Sequence, residues 1–320
     1  MMTDSTLFQA NASLNSMQPL IMEDGNGSIP AQQPGISPPP KRSISNKTHL
    51  SKTDPDATLA IKSGTLRTLK YKAHLCCDSK SRIILALKIT TGAVHDSQPY
   101  LELLDYLKSK LHLTIDEVIA DRAYGSGNII SILQDKGIRH FIPLFSTRSG
   151  SSANSITEGF KDDAEKKIYT CPAQYELKPG KISPNDYVIH HSSVINCRNC
   201  SIKANCAAPK KKNSEIRVIS RHIHFDLFKE VTKRMETSEF KKRLTERLWK
   251  IEGIMNELKN YHGLFKAKYR GLNNVQIQAY MAAMAINIKR MVFLLIILYR
   301  YYHFLRQFLN RFYNRPYSSY

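Results

Sequence analysis

Three carboxylates, Asp4, Asp121 and Glu252, stand where side chains could do chemistry. Asp4 lies in the strand-like opening TDSTLFQ. Asp121 closes the short apolar stretch IDEVIAD, just before Arg122-Ala123-Tyr124-Gly125. That turn leaves its carboxylate at the strand's carboxyl end, where the sites of sheet enzymes gather. Glu252 follows Ile251 on a helical stretch, with Asn256 and Lys259 at i+4 and i+7 on the same face. Carboxylates drawn from such distant positions suit two Mg²⁺ or Mn²⁺ ions, hard cations that prefer oxygen ligands. Two such ions about 3.5–4 Å apart can activate one oxygen and stabilise another, the need of phosphoryl transfer on DNA. The chain holds 27 acidic residues, so position alone does not single out these three. Ordinary solvated carboxylates are the alternative.

The elements that must position them are legible in outline. Residues 14–56, dense in Gly, Pro, Ser and Asn, read as a long surface loop. LKYKAHLCCD and RIILALKIT read as a hairpin, and Cys76 and Cys77 as core residues. A helix follows with Leu101, Leu104, Leu107 and Leu111 on one face. Next come the strand before Asp121, a helix from Gly127 to Gln134 ending at Gly137, and the strand RHFIPL. The order predicts a mixed α/β sheet with an antiparallel hairpin and helical crossovers. Residues 1–144 form the first part of this domain, 145–224 a cysteine-containing insertion, 225–290 a helical remainder and 291–320 an aromatic and basic extension. In the helical part Leu244, Leu248, Ile251, Met255 and Leu258 define one apolar stripe. The run MVFLLIILY, Met291 to Tyr299, is far shorter than the roughly 20 apolar residues of a membrane span. It reads as a buried or partner-facing helix, and no membrane is expected as a partner.

Lysine and arginine total 47 against those 27 acids, a net charge of +20. Such a field favours a polyanionic partner, nucleic acid first and an acidic membrane surface second. A basic, well-solvated protein is the alternative. Lys241, Lys242, Arg243, Arg247 and Lys250, then Lys266, Lys268 and Arg270, with Lys210 to Lys212, could line a DNA path or form a solvated face. No base-reading element is visible. Met1 to Ala12 lacks the basic flank and apolar core of a secretory signal, so a reducing cytoplasmic location is expected. There, Cys171, Cys197, Cys200 and Cys206 could hold one structural Zn²⁺, with His222 and His224 as spare ligands, or serve as packing thiols.

Five stretches, in order, carry a family resemblance: TDSTLFQANAS, SKTDPDATLA with YKAHLCCD, ADRAYGSGNI, RLWKIEGIMNELKNYHGLFKAKYRGL, and INIKRM. From Thr3 to Arg290 the chain resembles the DDE transposases of bacterial insertion sequences, in the subgroup with a cysteine-bearing insertion before the final acid. The resemblance implies a ribonuclease-H-like fold, with Asp4, Asp121 and Glu252 as ligands of two Mg²⁺ or Mn²⁺. It implies cleavage and joining of double-stranded DNA at transposon ends and target, by a homodimer at the nucleoid. Arg247 and Lys259 accompany the glutamate, their cationic ends suited to phosphate near the scissile bond or to a solvated helix face. Tyr124 matches an aromatic after the second aspartate or packs in the core. Asp96, in TGAVHDSQ, is expected to cap the next helix. Relatives of this kind carry a helical DNA-binding region before the first aspartate, where this chain has three residues; it reads as N-terminally truncated. A catalytically silent DNA- or zinc-binding remnant is therefore the second reading.

Overall fold

The computed structural model describes residues 1–20, 44–61, 66–145, 159–163, 168–184, 186–206, 208, 211 and 215–313. These separate into two compact units. One comprises Met1–Asp121, Ile138–Phe141 and Lys242–Tyr320; the other comprises Arg122–Gly137 and Ile142–Lys241.

The first unit is built on a six-stranded sheet. β1 (Met2–Gln9) lies between β5 (Thr68–Cys77) and β7 (Glu117–Ile119), and β8 (Arg139–Phe141) continues the sheet beyond β7. β6 (Ile84–Thr91) and β4 (Thr58–Ala60) pair with β5. β5 runs antiparallel to both β1 and β6, whereas β1, β7 and β8 run parallel. Read across, β6-β5-β1-β7-β8 is the ribonuclease-H-like arrangement, and the fold is mixed α/β. The reason β5 is central is visible in its side chains: Leu69, Tyr71, Ala73, Leu75, Cys76 and Cys77 are all buried. A strand covered on both faces carries a near-continuous apolar run.

α1 (Tyr100–Ser109) packs on β6 through Tyr100, Leu103, Leu104 and Leu107. This corrects the expected face: Leu101 is only half-buried and Leu111 is exposed beyond the helix end. The i, i+3, i+4, i+7 pattern survives, started from the tyrosine rather than the leucine. α2 (Gly127–Asp135), in the second unit, starts at Ser126, whose hydroxyl accepts from the Ile129 N–H at 3.4 Å. It gives way to Gly137 at φ +66°, a left-handed position suited to glycine.

Within 14–56, residues 21–43 lie outside the described residues. The rest of that expected loop holds β2 (Met17–Pro19) paired with β3 (His49–Ser51). Its distal part is a brace. Asp54, fully buried, accepts from the Tyr71 hydroxyl at 2.7 Å and the Gly271 N–H at 3.1 Å. Asp56 accepts from the Leu272 N–H at 2.8 Å. The two carboxylates thus meet the unpaired N–H groups and positive dipole end of the longest helix, α6 (Leu272–Tyr313).

α6 is continuous through Lys289 and Arg290. Val275, Ala279, Ala282, Ala283 and Ile286 are buried, and Gln276 and Asn287 bond to the β6 backbone. Past Arg290, of the two expectations, burial within the fold is the one overturned. Every large apolar side chain from Met291 to Leu309 is exposed, between 38% and 64%.

In the second unit, β9 (Lys161–Asp163), β10 (Ile168–Thr170), β11 (Glu176–Ile182), β12 (Tyr187–His191) and β13 (Val218–His222) form an antiparallel sheet. Phe160, Tyr169, Leu177, Ala208 and Ile219 form its small core. The short α3 (Val194–Arg198) and α4 (Phe225–Met235) complete the unit's helices among the described residues, while α5 (Ser238–Asn260) begins here and continues in the first unit.

Candidate functional site

Four carboxylates converge on one cleft of about 520 Å³ in the first unit. Asp4, the third residue of β1, Asp121, two residues past β7, and the exposed Glu252 of α5 all line it. Asp96, from the turn before α1, is the fourth. Three cations, Lys72, Arg247 and Lys259, line the same walls. All three acids read from the sequence are therefore brought to one place, although Asp4 and Glu252 lie 248 residues apart.

Asp4 is the most enclosed of them. Its Oδ1 accepts from the Ser5 N–H at 2.8 Å, and its Oδ2 from Arg247 Nη1 at 2.7 Å. Burial pushes its carboxyl up to about 6; Arg247 and the Ser5 N–H oppose that, and the Asp121 charge adds to it. Desolvation outweighs even a close guanidinium here, because the pair is held out of water. Arg247 itself is only 8% exposed.

The buried stripe of α5 runs Arg247, Ile251, Ile254, Met255 and Leu258, whereas Leu248 is exposed and Leu244 half-buried. The expected stripe is thus corrected at its amino-terminal end. Arg247 takes the inward position because Asp4 offers a carboxylate there, which an aliphatic side chain could not satisfy.

Lys259, expected near phosphate, donates to the Leu7 carbonyl at 2.8 Å on the strand that carries Asp4. Lys72 and Asp96 were not read as site residues. Lys72 donates to Asp96 Oδ1 at 2.7 Å and to the Val94 carbonyl at 2.6 Å. Burial alone would raise the Asp96 carboxyl, but hydrogen bonds from Lys72 and Ser5 outweigh it and hold it below the usual range. Asp96 does not cap α1, whose preceding residue, Pro99, makes no side-chain cap. A signal existed in β5: Lys70, Lys72 and His74 recur at period two within an otherwise apolar strand. Lys72 thereby lies opposite Leu7 in the β1–β5 register and lines the cleft.

The cleft offers the hard oxygen donors that Mg²⁺ or Mn²⁺ would need, but not their gathering. Both Asp4 oxygens are engaged. Among the described residues, no three His, Cys, Asp or Glu side chains are grouped to hold a metal ion. In this arrangement the residues do not fit a divalent metal, and an arginine holds the first carboxylate. The same holds for zinc. Cys171 and Cys206 pack against the small apolar core, and Cys197 Sγ donates to Ser192 Oγ at 2.9 Å. Cys200 is half-buried, and no set of three includes it. His222 and His224 make tilted ring contacts with each other and with Phe228.

The expected basic path is partly neutralised from within. Arg243 pairs with Glu117 at 3.0 Å and Glu246 at 3.2 Å. Lys250 pairs with Glu246 at 3.4 Å and lies over the Trp249 ring. Lys242 is exposed. Lys210 and Lys212 lie outside the described residues. Between α5 and α6, exposed Lys266, Lys268 and Arg270 alternate with exposed Tyr261, Phe265 and Tyr269. The aromatics are the part of this surface that reading for charge alone missed. Tyr124 is buried, in keeping with a packing role.

The family of transposase DDE domains matches residues 47–288, about three quarters of the chain. Asp121 and Glu252 fall inside the match and Asp4 before it. No curated protein matches the chain. On the length of that match, which takes in every strand of the six-stranded sheet but β1, the chain belongs to the transposase DDE domain family.

Proposed function

We propose that this chain is a DNA-binding transposase domain whose acidic cleft is catalytically silent as folded. The observation that carries the reading is the Arg247–Asp4 ion pair at 2.7 Å, which engages the first carboxylate within the protein. DNA binding follows from the basic surface. Lys266, Lys268 and Arg270 neutralise phosphates, and Phe265 and Tyr269 between them offer faces on which bases stack. Binding takes place in the cytoplasm, on the nucleoid, and needs no zinc.

A second reading is favoured by the convergence of Asp4, Asp121 and Glu252 on one cleft. In it, the domain cleaves and transfers DNA strands; those acids would be the holders of two Mg²⁺, which would supply activation of oxygen when bound. Arg247 and Lys259 then contact the DNA backbone.

One experiment separates the two. The full chain and its Asp121→Ala variant are incubated with supercoiled plasmid, with and without Mg²⁺ or Mn²⁺, and binding is followed across a salt series. The silent reading expects retarded DNA whose affinity falls steeply with salt, and equal background nicking by both proteins. Metal-dependent nicking lost in the variant would overturn it in favour of the second reading.

A further inference from the structure

We infer that α6 beyond Arg290 is a membrane-binding element that seats in the interface of an anionic lipid bilayer. The fold holds the helix as far as Lys289 and Arg290, which pair with Glu257 of α5 at 2.8 and 2.9 Å. The eight residues that follow, Met291 to Leu298, are all apolar and all exposed. At 100° per residue they cover the whole circumference of the helix. A second copy docking along one seam would cover a single stripe and leave the rest in water. Nucleic acid is equally unsuited, because the run offers no cation to phosphate. Lipid is the surrounding that meets every side at once.

The next two turns sharpen the choice. Arg300, His303, Gln307 and Asn310 recur at intervals of three, four and three residues and fall on one face. Tyr301, Tyr302, Phe304, Leu305, Phe308 and Leu309 fall on the other, and all are exposed. A helix with an arginine-bearing polar face and an aromatic-aliphatic opposite face suits the boundary between headgroups and acyl chains. The sign of the charge selects the lipid. After Glu257 the chain contains no Asp or Glu to its end, so the helix and everything after it are cationic. By length and composition α6 could cross a membrane, with mean hydropathy 2.0 over its most apolar window. Arg300 and Arg306 would then sit within the hydrocarbon, each at a cost of about 2.5–3.5 kcal/mol near its centre, which favours the interfacial position.

The test is flotation of the full chain with vesicles of phosphatidylcholine plus phosphatidylglycerol, and of phosphatidylcholine alone. The chain should float with the anionic vesicles. A Leu294→Asn, Ile297→Asn, Leu298→Asn variant should partition at least about tenfold more weakly. An Arg300→Glu, Arg306→Glu variant should lose the preference for anionic over neutral vesicles, and it leaves the apolar run untouched. The inference is overturned if the full chain stays in the soluble fraction, or if the triple variant floats as well as the parent. A soluble dimer in sedimentation analysis that the triple variant dissociates, with no flotation by either, would assign the surface to a second copy instead.

Discussion

Helices α5 and α6 break the same rule in opposite directions. α5 buries a charge, Arg247, and leaves Leu248 and Trp249 in water at 50% and 59% exposure. α6 from Met291 to Leu309 leaves every large apolar side chain exposed. In α5 the exception has its partner inside the fold, since Asp4 on β1 meets the guanidinium. In α6 the described chain supplies no cover for the exposed run. An exception satisfied internally marks a site already assembled, and one left unsatisfied points outward to something the chain must meet.

The largest effect should come from breaking the α5 pair. Arg247→Met leaves Asp4 buried beside its remaining donor, and urea unfolding at pH 7 should show a loss of about 3–5 kcal/mol. Combining it with Asp4→Asn should restore much of that loss, because the two residues act as one unit. A loss unaffected by the second substitution would mean that Arg247 serves packing alone.

Next is His74, a buried group only partly satisfied. Its Nε2 lies 2.9 Å from Thr90 Oγ1, whereas its Nδ1 is buried without a hydrogen-bond partner. Burial lowers its pKa from 6.5 to about 4, so the folded chain keeps it neutral where the unfolded chain takes up a proton. Stability from this group is full above pH 6.5 and is lost as pH falls towards 4, on the order of 3 kcal/mol. Asp4 works the other way. Its pKa is raised from 3.8 to about 6, so its contribution is full below 3.8 and lost as pH rises to 6. Unfolding curves at pH 4.5 and 7 for the parent and a His74→Gln variant should show the acid-side loss disappear in the variant.

Asp56→Ala should cost about 1 kcal/mol, the usual effect of removing a cap from a helix N-terminus. The smallest effect belongs to the exposed end of α6. Ile297→Asn should change unfolding free energy in vesicle-free solution by less than about 0.5 kcal/mol, since a surface side chain with no internal partner has little to lose. A large loss there would show that the run is covered within the folded chain and would remove the contrast between the two helices.

These residues also show where reading the sequence stops. Asp121 and Glu252 were legible because each sits in a local motif: a strand end before a turn, and a helix face shared with Lys259. The β5–β6 hairpin was legible from its apolar runs. The phase of α5 was not, because leucines at 244 and 248 extend the stripe as well as Arg247 does. What decides between them is a carboxylate 243 residues away. Asp54 and Asp56 likewise stood out only as part of a motif, since their partners, Gly271 before α6 and Leu272 at its start, lie 217 and 216 residues on. Local spacing reports periodicity, but choosing between a charged and an apolar face needs the long-range partner. The end of α6 stayed open between a buried and a partner-facing helix for a related reason, as apolar residues signal burial without saying in what.

The central claim is that Arg247, rather than a metal, holds the first carboxylate of the cleft. Water-proton relaxation during titration of the full chain with Mn²⁺ tests it most directly, with Asp121→Asn measured alongside. The account predicts no tight uptake by the parent and indistinguishable curves for the two proteins. Stoichiometric Mn²⁺ binding at micromolar concentration, abolished by Asp121→Asn, would contradict it.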